Sequence, residues 1–115
     1  MTKKELTDLV NKIGEMGPGF LAVAVPFGSA AVVFGCYRGH SFAILWGRES
    51  NQNHEAFAYM QAAEISGCSV LAAETFGGVL EAAKAISTAV DTRYALINKE
   101  KTRNLINSNG NQTGH

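Results

Sequence analysis

Three apolar runs follow one another with almost no chain between them, and this spacing constrains the fold more than anything else in the sequence. Phe20–Pro26 is followed by the turn Phe27-Gly28-Ser29, then by Ala30–Cys36, rich in Val and Phe; Arg38-Gly39 then leads into Ser41–Trp46. Runs rich in β-branched and aromatic residues, bounded by glycine-containing turns, predict strands. Connections this short permit only antiparallel neighbours, so the three make a meander. Both faces of the meander carry apolar residues. Such strands are covered on both sides, or on one side by their own chain and on the other by a partner.

Helical patterns flank the meander. Thr2-Lys3-Lys4-Glu5 fits a capping box, and Leu6, Leu9, Val10, Ile13 and Met16 recur at helical spacing until Gly17-Pro18-Gly19 stops the helix. After the third strand, Gly47–Gln52 is a polar loop, and Ser50 or Asn51 can cap a helix running to about Ser66, with Gly67 as its stop. Cys68–Ala73 is a fourth, fully apolar strand. Thr75 can cap a further helix with Val79, Leu80, Ala83 and Ile86 inward, and Asp91 to about Asn107 is another helical stretch marked by Tyr94, Ile97, Lys101 and Leu105. The helix before the fourth strand is a crossover, which permits parallel pairing. The expected order is α-β-β-β-α-β-α-α, an α/β domain with a mixed four-stranded sheet flanked by helices, spanning residues 1–107. Residues 108–115 are Asn/Gly-rich and expected to be a disordered tail.

Composition narrows the function classes. The chain has 115 residues, enough for one domain, with 46% hydrophobic and 17% charged residues, so it can build a core. Ten basic and ten acidic residues cancel, whereas dedicated nucleic-acid binders carry a basic surplus. Residues 1–16 lack the apolar centre of a leader, and no stretch reaches the roughly 18 apolar residues of a membrane span. Cys36 and Cys68 read as reduced core residues rather than a disulfide framework. A cytoplasmic location with no membrane association follows as the expectation.

The element order, together with three local signals, resembles the restriction-endonuclease-like (PD-(D/E)XK) superfamily, and within it the small VRR-NUC branch. Val32-Val33-Phe34-Gly35 followed by Gly39 is similar to that family's D-L-x-G…G hairpin. Phe42-Ala43-Ile44-Leu45-Trp46-Gly47 is similar to its x-A-I-E-x-K strand. Gln52, Phe57, Gly67, Val70 and the Thr75 cap are similar to its later positions. The match runs from Val32 to about Ile86. The resemblance implies metal-dependent phosphodiester hydrolysis, in which strand carboxylates hold a divalent cation and a Lys orients water. Here the Asp position is Val32 (Val33 in the neighbouring register), the Glu position is Leu45 and the Lys position is Gly47. None of these side chains binds a hard cation, so no metal and no cofactor is expected. Glu5, Glu49, Glu55 and Glu64 are the carboxylates to which a site could have moved, with Glu5 better explained as a capping-box residue.

No other motif competes. His40, His54 and His115 have no zinc-type spacing, and no G-x-S-x-G elbow is present. Gly77-Gly78 opens a helix without a following Lys, which favours close packing over an anion cradle. Trp46 either fills the emptied pocket or joins Tyr37, Arg38 and Arg48 in a partner-binding surface. Arg38, Arg48, Lys101 and Arg103 are the candidate nucleic-acid contacts. The expected function is a catalytically inactive nuclease-fold binding module with a protein partner, an inhibitor of a host defence complex carried by a phage or mobile element being one form of it. The alternatives are a non-catalytic DNA- or RNA-binding protein, or a nuclease with relocated ligands. A homodimer is what the resemblance implies.

Overall fold

Thr2 opens the first helix as its spacing from Glu5 requires. In the computed structural model, which describes residues 1–48 and 52–113 with side chains to residue 105, the Thr2 hydroxyl accepts from the Glu5 amide at 3.1 Å. The Thr2 amide in turn donates to the Glu5 carboxylate at 3.3 Å. With two orphan donors satisfied, α1 spans Lys3–Glu15 and lays Leu6, Leu9 and Ile13 on the sheet.

The meander forms as β1 (Phe20–Phe27), β2 (Ala30–Tyr37) and β3 (His40–Gly47), each antiparallel to the next. Both hairpins turn on two residues with left-handed backbone where needed: Gly28 at φ 64, and Arg38 and Gly39 at φ 49 and 80. The second is the mirror-image turn whose twist matches the flanking strands. β4 (Ser69–Ala73) pairs parallel to β3 after the crossover helix α2 (His54–Ile65), giving an open mixed sheet in the order β1-β2-β3-β4.

Two layers of helix cover the sheet. One face packs on α1 and on α3 (Phe76–Thr113), burying Phe20, Val33, Phe42, Ile44 and Trp46 with Val79, Ala83, Ile86 and Val90. The other face packs on α2, burying Phe27, Val32, Ala43 and Leu45 with Ala56 and Ala63. Gly35 sits opposite Phe42, where a Cβ would fall within the Phe42 ring, so the aromatic lies flat over a bare backbone.

The structure differs from the sequence expectations at several points. α2 is capped by Asn53, whose side chain accepts from the Ala56 amide at 3.0 Å and donates to the Phe27 carbonyl at 2.9 Å; Ser50 and Asn51, expected as caps, lie outside the described residues. The two expected last helices are one helix, because no Gly or Pro occurs between Gly78 and Gly110 to end it. The helix runs to Thr113. Finally, the sheet is not covered throughout: Leu21 and Val23, on the α2 face of edge strand β1, are exposed because α2 packs over the far part of that face, and Leu71, on the opposite face of edge strand β4, is exposed beside α3. Cys36 and Cys68 are free thiols and half-buried rather than fully interior.

Candidate functional site

The positions where the resemblance places metal chemistry do come together. Val32 is the direct cross-strand partner of Leu45, and both are buried beneath α2 in an apolar cluster. Gly47 adopts φ 134, and a Cβ there would stand 2.6 Å from the Ser29 carbonyl oxygen and 2.8 Å from the Ala30 Cα. Both obstacles are backbone, so the position that would hold a Lys has room only for glycine.

The candidate partner surface does not assemble. Trp46 is 4% exposed and points to the opposite face from Leu45, where its ring meets Phe76 edge-on at 6.0 Å; it is core, not an anchor for a partner. Tyr37 is also buried, stacked on Phe20 at 4.4 Å. Arg38 and Arg48 cap opposite ends of β3, about 25 Å apart by strand rise, so they cannot share one surface. Glu5 is held in the capping box. Glu55 and Glu64 are exposed on α2, and Glu49 lies outside the described residues. Among the described residues no three His, Cys, Asp or Glu side chains converge to hold a metal ion. His54 stands exposed in the first turn of α2, and His115 lies outside the described residues.

A different site forms where α3 passes the end of the sheet. A cleft of about 720 Å³ opens between α3, the β2–β3 turn and the free edge of β4. Its floor is Leu71, Ile86, Ala89, Val90 and Ile97. Its rim carries Arg38, His40, Arg93 and Lys101, with Ser69 and Tyr94. α3 supplies Arg93, Ile97 and Lys101 at intervals of four, which puts them along one face.

One joint holds the cleft open. The Tyr37 hydroxyl donates to both oxygens of Asp91, at 2.8 and 3.0 Å, and Arg38 Nη1 lies 3.3 Å from Asp91 Oδ1. The Arg38 guanidinium rests over the rings of Tyr37 and Tyr94, 5.7 and 5.6 Å from their centroids, and the Tyr94 hydroxyl donates to the Arg38 carbonyl at 3.4 Å. These contacts tether the left-handed turn to α3 across 54 residues of sequence. The hydrogen bond to Asp91 is the main cause that pushes the Tyr37 phenol above the usual tyrosine range. Burial adds to this, the Arg38 charge opposes it and the Asp91 charge adds again. Across the cleft, His40 Nε2 and the Ser69 hydroxyl lie 2.7 Å apart, and His40 is half-buried.

Of the basic candidates, Arg38 and Lys101 line the cleft, while Arg48 is at the far end of the sheet and Arg103 is exposed on α3 away from the lining. The sequence reading did not bring Arg93, His40, Ser69 and Tyr94 together in one site. The four-residue spacing of Arg93 and Lys101 about Ile97 was the available signal.

The arrangement joins an apolar trough to a cationic rim. It can accept a ligand that presents apolar groups flanked by negative charge. Comparison with protein-family models, with curated proteins and with solved structures gives no match. Among the described residues no helix is long and apolar enough to cross a membrane.

Proposed function

We propose that this chain is a catalytically inactive protein of the restriction-endonuclease-like fold, acting as a protein-binding module through the cleft beneath α3. The observation that carries the reading is the cleft itself: a trough floored by Leu71, Ile86, Val90 and Ile97 and rimmed by Arg93, Lys101, His40 and the Asp91-paired Arg38. An acidic segment with apolar side chains satisfies both parts. A phosphate backbone would use the rim and leave the floor without partners. The zero formal net charge agrees, since dedicated nucleic-acid binders carry a basic surplus.

Loss of catalysis is supported by the buried Val32–Leu45 pair and by the backbone crowding at Gly47. A host defence complex is one class of partner that the resemblance brings with it, as the target of a phage or mobile-element inhibitor. The nucleic-acid reading keeps one specific point in its favour, the gathering of Arg38, Arg93 and Lys101 in one cleft.

Two assays on the purified protein decide among these. Supercoiled and branched DNA incubated with Mg²⁺ or Mn²⁺ at low salt should be neither cut nor retarded. A synthetic helical peptide with a Leu face flanked by Glu should bind, with chemical-shift changes at Ile97 and Leu71. Cleavage that tracks with the protein would overturn the inactive reading and send the search to Glu5, Glu49, Glu55 and Glu64. DNA retardation without peptide binding would replace the protein-binding reading with the nucleic-acid one.

A further inference from the structure

The free edge of β1 has the pattern of a strand built to pair with itself. β1 reads Phe-Leu-Ala-Val-Ala-Val-Pro-Phe, with no charged residue along its length. Edge strands left to face water are normally guarded by lysines, bulges or short length, and this one has eight residues and only Pro26. On the face shared with α2, Leu21 and Val23 are 73% and 61% exposed, beside the half-buried Phe34 and Cys36 of β2.

The backbone is equally specific. Phe27 and Ala30 close the two-residue hairpin, so residues 27, 25, 23 and 21 direct their amides and carbonyls to β2, and residues 26, 24, 22 and 20 direct theirs outward. Pro26 has no N–H, and the Phe20 amide already donates to the Gly17 carbonyl at 3.2 Å. The outward donors are therefore Ala22 and Ala24, and no described residue pairs with them. A two-fold axis at Val23 sets Ala22 against Ala24 of a second copy and Ala24 against its Ala22. Both donors then meet carbonyls, and the two blocked positions, Phe20 and Pro26, face each other.

α1 is shaped for the same axis. Leu6, Leu9 and Ile13 face the sheet, and Lys12 and Met16 turn toward Leu80 and Lys84 of α3. The opposite flank, which by helical geometry overlooks the β1 edge, carries Thr7, Val10 and Gly14. A Cβ on Gly14 would meet nothing within 4 Å. Lys3 stands at the N-terminal end of this flank, and beyond it the flank is small and uncharged, with Lys4, Asp8, Lys12 and Glu15 on the rest of the exposed surface, so a second α1 can approach it antiparallel.

We propose that two copies of this chain associate through β1, Ala22 and Ala24 pairing across a two-fold axis at Val23 to make one continuous eight-stranded sheet. Leu21 is then placed opposite Val25 of the second copy and Val23 opposite itself, which removes the exposed apolar pair from water. The cleft lies beyond β4, at the other edge, so the assembly presents two clefts at its ends and does not depend on what they bind.

The test is covalent trapping in solution. Val23→Cys is made in the full chain with Cys36→Ala and Cys68→Ala, beside Leu21→Cys in the same background, and both are oxidised. Val23 pairs stand about 4.5 Å apart between α-carbons in this register, within disulfide range, while Leu21 pairs are offset by four residues. Val23→Cys should trap quantitatively as a dimer of twice 12.3 kDa, and Leu21→Cys should stay single. In parallel, light scattering should show the unmodified chain as a dimer and Val23→Lys as a monomer with an unchanged circular-dichroism spectrum, since Val23 is exposed in the single chain and tolerates Lys there. No trapping at Val23, equal trapping at both positions, or a dimer that survives Val23→Lys would overturn the proposal.

Discussion

Tyr37 shows how one side chain serves fold and cleft together. Its ring is core against Phe20, and its hydroxyl reaches out to Asp91 on α3. Because the folded-state phenol titrates above its unfolded value, its contribution to stability is complete below about pH 10. It is lost as pH rises from there through the folded pKa, since the unfolded chain releases its proton first. Thermal melts between neutral and strongly alkaline pH should therefore show a steeper decline for the natural chain than for Tyr37→Phe, and parallel curves would refute this role. The former metal positions give the opposite kind of residue, one defined by what it excludes. Val32→Asp with Leu45→Glu would bury two like charges under α2 without partners. Each should cost at least about 3 kcal/mol, a large part of the roughly 5–15 kcal/mol that holds a domain together. The double variant should be unfolded at room temperature by circular dichroism. A folded, metal-binding double variant would show that the pocket can reopen.

α3 is the element whose length matters more than its packing. Its buried positions end at Val90, and the described residues from Asp91 to Leu105 are exposed. Ending the chain after Asn98 removes Lys101 from the cleft and nothing from either core, so the midpoint of thermal unfolding should stay within about 3 °C of the full chain. A larger drop would mean that the distal helix supports the fold through contacts of its own. The single helix also marks where the sequence stops being readable. Local chemistry was legible: the Thr2–Glu5 box, the Arg38-Gly39 turn and the Thr75 cap, whose hydroxyl accepts from the Gly78 amide at 3.0 Å, depend on neighbours within three residues. So was the sheet order, which follows from short turns and one crossover. The cleft was not, because Arg38, Asp91 and Tyr94 meet only after three strands and two helices are in place. Trp46 was ambiguous for the same reason: alternation puts it on the face opposite Leu45 but does not say that Phe76 covers that face.

At the scale of the whole molecule the chain is a flat plate with a projecting rod. Its extents are 67 × 28 × 16 Å and its radius of gyration is 18.6 Å, against about 13 Å for a compact chain of this length. The difference is the overhang of α3, and the cationic rim lies where that helix leaves the plate, at one end of the sheet. A field of this kind is local, because charges more than about 8–10 Å apart in water are screened at physiological salt. Reversing Arg93 and Lys101 to Glu should therefore weaken binding of the Leu/Glu helical peptide at least tenfold at low salt, taking about 0.7 kcal/mol for each reversed rim contact. Reversing Arg48, at the far end of the sheet, should leave it unchanged. Raising the salt should narrow the gap between the natural chain and the double reversal while the contribution of the Leu71 and Ile97 floor persists, since burial of apolar surface is not screened. Calorimetric titrations at two salt concentrations read all three comparisons. Equal losses for the Arg48 and Arg93/Lys101 reversals would mean that the peptide senses overall charge rather than the cleft, and the recognition surface would have to be sought elsewhere on the plate.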